Sequence, residues 1–349
     1  MVCDSVDVPS LGNPVAVDTG YREVLNSRIR KDPTVWVYAL QRIAQGCVVM
    51  LLITALTFFL VNSAPGLPAS IANMNTTSQQ REALSRLLRL DQPVFVRYLS
   101  WLSEISRGNL GYSLSGGEPV ARLVGQRMVT TAQLALTALL ISTVFGIGLG
   151  LASARYNGTW IDHLINGLST LGQSIPDFWL GILGIILFAV TWKILPSSGM
   201  PEMGSRFSLG NWLSHTILPA SVLAFVVMPN LTRLTRSAIL EVMQADYLRS
   251  ARAKGLPEHI VVLKHAFRNA LVPILAMVGL LIPALLSGSV VAESVFGWPG
   301  MGRLAVDAAL QRDYTLVMGV TISVGLVVIL TNLATDMLFS VIDPRIRHE

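Results

Sequence analysis

Six stretches without a charged residue dominate this sequence of 349 residues. A membrane-spanning helix needs about 20 mostly apolar residues to cross a hydrocarbon core of roughly 30 Å. Five of the stretches reach that length alone, and the one between Asp177 and Lys193 reaches it only if its helix starts before Pro176. One such stretch could be a buried helix of a soluble protein, but six together predict an all-α integral membrane protein. The stretches are 43–80, 128–154, 178–192, 207–232, 269–292 and 314–335.

The overall charge fits the same interpretation. Charged residues make up 13% of the chain, whereas soluble domains contain about 25%. A net charge of +5 would suit a nucleic-acid partner, but Lys and Arg gather in the cytoplasmic loops of membrane proteins. We therefore expect membrane lipid, and no nucleic acid, as a partner. The two cysteines, Cys3 and Cys47, predict neither a disulfide framework nor a metal cluster.

These patterns predict six transmembrane helices. About 40 polar residues precede the first apolar run, so we expect an uncleaved span there and no secretory signal. The six spans are expected at about 43–62, 129–154, 170–194, 212–232, 270–292 and 315–340. The expected parts are an N-terminal tail (1–42), a first transmembrane helix (43–62), an external segment (63–127), a five-helix core (128–341) that includes the loop 234–269, and a C-terminal tail (342–349).

Small residues and prolines add detail within the spans. Gly146 and Gly150 have the small-xxx-small spacing that lets two membrane helices approach closely, although ordinary glycine enrichment explains them equally well. Prolines inside the apolar runs are expected to kink their helices because proline removes a backbone hydrogen bond. They are Pro176, Pro219, Pro229 and Pro273.

Loop charges predict the orientation. The loop between spans four and five holds seven basic and three acidic residues, a net charge of +4, whereas the loop after span five has a net charge of −1. The basic loop should face the cytoplasm. Both termini are then expected in the cytoplasm, and the chain is expected to be a multi-pass membrane protein. The segment 63–127 lies outside despite its seven arginines, because long loops translocate largely regardless of charge.

No sequence motif indicates chemistry in this chain. The run Leu114–Glu118 (Leu-Ser-Gly-Gly-Glu) resembles the signature motif of ABC ATPases, but it lies in the external segment. The phosphate-binding loop that ends in Gly-Lys-Ser/Thr is missing, since lysine follows no glycine. The five histidines form no His-Glu-x-x-His pair, and no Gly-x-Ser-x-Gly elbow occurs. We expect no catalytic residue, no metal site and no cofactor bound by this chain.

The loop 234–269 contains a distinctive segment. Residues 246–256 read as a short helix of small and basic residues that stops at Gly255, the usual helix-ending residue. Small residues at 250, 251 and 253 leave one helix surface free of bulk. Such a surface suits a groove on a partner protein, while the alternative is an ordinary solvated loop whose charge sets the topology.

Several segments together carry a family resemblance. The loop resembles the EAA coupling motif of binding-protein-dependent ABC importers, in the form typical of the dipeptide/oligopeptide/nickel permease family. Arg249-Ser250-Ala251 stands where the name-giving residues stand, so the name itself is not spelled here. The resemblance runs from about 38 to 347, and the long external segment is similar to that of the B-type subunit; only the extended N-terminal tail departs from it. Further matching segments are Ala64–Gly66, Arg127–Ala132, Ser174–Trp179, Phe296–Gly302 and Asp343–Arg347.

The resemblance implies a type I ABC importer permease fold and a set of partners. They are a second homologous permease subunit, two cytoplasmic ABC ATPase domains that bind ATP and Mg²⁺, and an extracytoplasmic solute-binding protein. It also implies an ATPase-coupling loop in this chain. The coupling residues are Tyr247, Arg249, Ser250, Ala251, Arg252, Ala253, Lys254, Gly255 and Leu256.

Other functions remain open on sequence alone. A secondary transporter or channel working without partners usually places ionisable residues inside its spans, and the candidates here are Asp177 and Asp336, both expected near cytoplasmic helix ends. A membrane enzyme would need a catalytic constellation, which the motifs do not supply. Dipeptides, oligopeptides, glutathione, nickel chelates and heme all fall within systems related to the family, and the sequence assigns no substrate-contacting residue.

Overall fold

The computed structural model describes residues 33–63, 92–200, 208–253, 255 and 257–342. Its regular elements are helical, and within the described residues the only β-pairing is an isolated bridge between Tyr112 and Pro119. The helices are α1 (Pro33–Ser63), α2 (Val94–Ser106), α3 (Val120–Arg155), α4 (Trp160–Ser174), α5 (Asp177–Gly184), α6 (Leu209–Met243), α7 (Asp246–Ala253), α8 (Glu258–Ile260), α9 (Phe267–Val295), α10 (Met301–Leu310) and α11 (Tyr314–Ile342). Two π-helical stretches, Ile185–Thr191 and Val261–Ala266, continue α5 and join α8 to α9.

The chain divides into two compact units between Val48 and Val49. The described part of the first unit is continuous helix. The second unit holds the rest of α1 and every other helix. The expected tails lie outside the described residues up to Asp32 and from Asp343 onward, and so does most of the N-terminal half of the external segment.

Within the described residues, the structure supports five to six membrane spans. Helices α1, α3, α6, α11 and the continuous α8–α9 segment are each long and apolar enough to cross a membrane. Helix α4 with α5 and its π-helical continuation, bent by 102°, makes a sixth span if the pair is counted as one. Helix α3 begins at Val120, before the expected span, so the end of the external segment is helical. The all-α class is therefore confirmed, with six membrane segments when the bent pair is counted as one.

The third span differs from the continuous helix expected over 170–194. Helix α4 ends at Ser174, Ile175 and Pro176 are extended, and α5 starts afresh at Asp177. Proline lacks the N–H that a helix needs and disfavours helical conformation in the residue before it. The expected kink at Pro176 is thus a full break, whereas Pro219, Pro229 and Pro273 lie inside continuous helices.

The packing core lies where α3, α6 and α9 meet. Gly146 of α3 lies against Leu231 of α6, and a methyl group at Gly150 would overlap Thr235 and the carbonyl group of Thr232. Close helix approach therefore explains the small-xxx-small spacing. Helix α6 is the central span, since half of its apolar window is buried, against about a fifth for α11.

Candidate docking hairpin

The predicted coupling loop forms a helical hairpin at the end of α6, which we call the docking hairpin (residues 246–266). Its first arm is α7 and its second arm is α8 with the π-helix that follows. Leu248 of α7 is completely buried, and Val261, Val262 and Ala266 of the second arm pack into the same apolar core as Ile239 of α6. The hairpin is therefore anchored by one apolar face to the membrane-spanning helices.

The turn of the hairpin depends on Gly255. Its φ angle is +78°, a conformation that side chains other than glycine rarely adopt. Its N–H donates a hydrogen bond to the carbonyl oxygen of Arg252 at 2.9 Å. An added Cβ would meet no atom within 4 Å, so conformation and not space selects glycine here. Pro257 then leads into α8 in an extended conformation.

An ion pair closes the turn. Arg252 donates from Nε to one carboxylate oxygen of Glu258 at 3.1 Å and from Nη2 to the other at 2.9 Å. The hydrogen bonds that Arg252 donates to this carboxylate raise the pKa of Arg252. Both side chains are partly exposed, so the pair contributes about 0–1 kcal/mol to stability. Its two-pronged geometry holds the arms together on the surface.

A second tie joins the hairpin to the next span. The side-chain amide of Asn269, near the start of α9, donates to the Tyr247 hydroxyl at 2.7 Å. Tyr247 is about half exposed, so it holds the hairpin while also presenting part of its ring outward. A displacement of α7 would therefore reach both α6, through the chain, and α9, through this bond.

The predicted coupling residues fall into three groups. Tyr247, Arg252, Ala253 and Gly255 lie on the surface of the hairpin. Arg249, Ser250 and Ala251 lie in α7, but their side chains are outside the described part of the chain, and so are Lys254 and Leu256 altogether. Leu248, the buried anchor, is not among the coupling residues predicted from the sequence. An isolated leucine in an otherwise polar helix is the signal that could have found it.

A buried carboxylate secures the C-terminal part of α6 beside the hairpin. Asp162, 2% exposed, receives hydrogen bonds from Ser153, Asn166 and the Gly158 N–H as well as from Arg236 of α6. The turn between α3 and α4 is thus joined to the helix that leads into the hairpin. Asp162 is not among the residues predicted from the sequence.

A second buried carboxylate joins the N-terminal half of α3 to the end of α9. Glu293, fully buried near the end of α9, accepts hydrogen bonds from the Thr131 hydroxyl at 2.6 Å and from the Arg303 N–H at 3.0 Å. The Trp298 ring N–H donates to the carbonyl oxygen of Thr130 at 3.0 Å. Two segments that carried the family resemblance, Arg127–Ala132 and Phe296–Gly302, therefore meet around one side chain.

The run Leu114–Glu118 has a structural partner. The Ser115 hydroxyl donates to Asp313 at 3.0 Å, and the Ser113 hydroxyl donates to the same oxygen at 2.5 Å. Burial would raise the pKa of Asp313, but the hydrogen bonds from the Ser113 hydroxyl and from the backbone N–H groups of Leu316 and Ser115 outweigh it and lower the pKa below its usual range. The run therefore has a structural contact, with the residue that precedes α11 and accepts a hydrogen bond from its Leu316 N–H.

Two family models match this sequence. The model described as "Binding-protein-dependent transport system inner membrane component" matches residues 146–348. The model of the corresponding N-terminal region matches residues 35–135. Together they span nearly all the residues on which the resemblance rests.

Curated relatives match over most of their length. The oligopeptide transport system permease protein AppB of Bacillus subtilis is 38% identical over 89% of this chain and 99% of its own. A putative peptide transport system permease protein of Brucella abortus is 42% identical over 89% of this chain and 98% of its own. The dipeptide transport system permease protein DppB of Escherichia coli is 38% identical over 85% of this chain and 94% of its own.

A solved structure shares the fold. An inward-facing form of the MetNI methionine ABC transporter matches with a TM-score of 0.54 at 18% identity, over 65% of this chain and 99% of the other. The likeness confirms the type I ABC importer permease fold of this chain.

Proposed function

From the premise that this chain belongs to the family of binding-protein-dependent transport system inner membrane components, we propose that it is one of two permease subunits of an ATP-driven peptide importer. The docking hairpin carries the proposal, because it joins a surface for an ATPase directly to the spans α6 and α9. Peptides are the proposed solutes because the relatives from Bacillus, Brucella and Escherichia are named oligopeptide, peptide and dipeptide permeases.

The proposed ATPase contact is the outward surface of the docking hairpin. Leu248 fixes one side of α7 in the core, so the opposite side is available to a partner. The Arg252–Glu258 pair and the Asn269–Tyr247 bond resist independent movement of the two arms. A hairpin braced in this way passes a displacement of the ATPase to the membrane helices. ATP and Mg²⁺ are bound by the partner ATPases in this proposal, and this chain contributes no catalytic residue.

The remaining partners follow from the family. A second, homologous permease completes the translocation path, and an extracytoplasmic solute-binding protein delivers the peptide. The proposed location is a prokaryotic cell membrane, with both termini in the cytoplasm. The docking hairpin then faces the cytoplasm, where the ATPases are, and α2 lies outside.

Reconstitution tests the proposed function against a transporter or channel that works alone. Liposomes should take up labelled peptide only when they contain both permeases and the ATPases, with ATP and the binding protein supplied on the appropriate sides. Liposomes with this chain alone should show no peptide flux, even with a proton or sodium gradient. Gradient-driven flux through this chain alone would contradict the proposal.

A further inference from the structure

The break between α4 and α5 lies deep inside the membrane region. Gly172, two residues before the end of α4, lies against the ring of Phe225, which is near the middle of α6. The chain is extended at Ile175 and Pro176 before α5 departs at 102°. The last turn of a helix leaves carbonyl groups without helical partners. Such backbone is tolerated at membrane depth only where protein covers it or water reaches it.

Helix α4 has two different exposed faces between its start and this break. Residues at spacings of four, three and four form an exposed polar stripe, and leucines form an exposed apolar stripe about a quarter turn away. The polar stripe consists of the side chains of His163, Thr170 and Ser174, with Gly167 exposed between them. The apolar stripe consists of Leu164, Leu168 and Leu171.

The neighbouring edge of α6 continues the polar stripe. Asn230, Arg233 and Ser237 are exposed at spacings of three and four residues, so they share one face. Gln173 of α4 joins the two helices: its amide donates to Asn230 at 2.7 Å and its oxygen accepts from Arg233 at 2.7 Å. The two helices therefore present one continuous polar surface, which we call the polar wall (163, 167, 170, 173, 174, 230, 233 and 237).

Lipid is an unsuitable neighbour for the polar wall. The hydroxyls of Thr170 and Ser174 bond to carbonyl oxygens of their own helix, so they alone would tolerate lipid. Arg233 is different. At 1.5 Å per residue it lies about 12 Å along α6 from Phe225. It forms no ion pair with any residue that the structure describes. An exposed guanidinium facing hydrocarbon is costly, and such residues normally face a water-filled cavity or the interior of a bundle. The leucine stripe of α4 has no such restriction.

We propose that the polar wall lines the cytoplasmic half of the solute path, from the break at Ile175–Pro176 to the inner membrane surface. The inference rests on the proposed function and deepens it by assigning residues to the path. The solute that this wall favours carries a carboxylate, such as the C-terminus of a peptide. Arg233 donates to the neutral amide oxygens of Gln173 and Asn230, and these bonds leave its positive charge uncompensated. The apolar stripe of Leu164, Leu168 and Leu171 faces lipid or a neighbouring subunit.

Cysteine accessibility in the assembled transporter tests the wall. Cys3 and Cys47 are first replaced by serine, and the transporter with this cysteine-free chain should retain ATP-dependent peptide uptake. Absence of uptake at this stage would count against the proposed function and not against the polar wall. Thr170→Cys and its neighbour Leu168→Cys are then exposed, in inverted vesicles, to a membrane-impermeant methanethiosulfonate reagent. Thr170→Cys should react at least about tenfold faster, because the reagent needs water and a thiolate. Equal rates, or no reaction at Thr170→Cys, would overturn the inference.

A second experiment tests the charge of the wall. Arg233→Gln should slow uptake of a tripeptide with a free C-terminus by about tenfold, the size of a lost charge-assisted hydrogen bond, and should leave uptake of the same tripeptide with an amidated C-terminus nearly unchanged. Arg233→Lys keeps the charge and should restore most of the difference. An equal loss for both peptides, or no loss for either, would contradict a role for Arg233 in recognising the carboxylate.

Discussion

Arg236 and Asp162 form a two-pronged ion pair that joins α6 to the start of α4. The Nε of Arg236 is 2.8 Å from one carboxylate oxygen of Asp162, and an Nη is 2.8 Å from the other. The same Nη also donates to the side-chain oxygen of Asn157 at 2.7 Å, which extends the contact to the α3–α4 turn. Asp162 is almost fully buried, whereas the Arg236 side chain is 27% exposed. This pair fixes the C-terminal part of the helix that leads into the docking hairpin.

Replacement of Asp162 by asparagine should destabilise the protein markedly. Removing one partner of a buried pair costs roughly 3–5 kcal/mol, and the exposure of Arg236 places this case toward the lower end. The melting temperature of the detergent-purified protein should fall by several degrees. The matched control is Asp307→Asn, whose exposed pair with Arg303 at 3.8 Å should contribute little. Equal melting temperatures for the two variants would contradict the assigned role of Asp162.

Gly300→Ala should disrupt the contact between α3 and the segment after α9. A methyl group at Gly300 would overlap the carboxyl group of Glu293, which is fully buried and bonded to Thr131. Overpacking of this kind typically costs about 1–3 kcal/mol, so assembly or thermal stability should fall. Gly125→Ala is the control, because open space surrounds that helical glycine. Limited proteolysis of both variants gives the comparison, and identical digestion would count against this packing.

Ser115→Ala should leave ATP hydrolysis by the assembled transporter unchanged. The Ser115 hydroxyl donates to Asp313, which keeps its bonds from the Ser113 hydroxyl and from the Ser115 and Leu316 amides, so the expected cost is about 1 kcal/mol of stability. The purified chain alone should hydrolyse no ATP, with or without the substitution. Ser106→Ala, an exposed serine of α2, serves as control. A large loss of hydrolysis with assembly intact would mean that Leu114–Glu118 acts on nucleotide.

Much of this architecture could be predicted from local sequence. Apolar runs located the spans, and the stop at Gly255 located the turn of the hairpin. The buried carboxylates could not be predicted in this way, because their partners are far away in the chain: Thr131 and Glu293 are 162 residues apart, and Ser113 and Asp313 are 200 apart. The break at Pro176 was expected only as a kink, because sequence shows that a hydrogen bond is lost but not how far the chain then turns.

The topology is tested by labelling from outside the cell. Ser103 lies exposed on α2 and Ser237 lies exposed near the inner end of α6. In a protein without its native cysteines, an impermeant maleimide should label Ser103→Cys and should label Ser237→Cys only after the membrane is opened. The charge difference between the loops, +4 against −1, is the basis for this orientation. The opposite labelling pattern would reverse it.

The central claim is that residues 246–266 dock the ATPases. Gly255 has a φ of +78° and open space around it. Gly255→Val should therefore strain the turn and displace α7. Gly255→Asn should be tolerated, because asparagine adopts this conformation more readily. Ala251→Glu should weaken docking by adding bulk and charge to the small-residue face that the sequence predicts. Gly108→Val is the matched control, with a φ of +79° and open space on the external side.

Co-purification of the ATPases with each variant, at matched expression of the permease in membranes, tests this claim most directly. Gly255→Val and Ala251→Glu should retain little ATPase, whereas Gly255→Asn and Gly108→Val should retain nearly as much as the unaltered protein. Surface substitutions in a solvated loop usually change stability by less than about 0.5 kcal/mol, so such a loop would tolerate all four. Normal recovery of the ATPases with both Gly255→Val and Ala251→Glu would contradict the docking assignment.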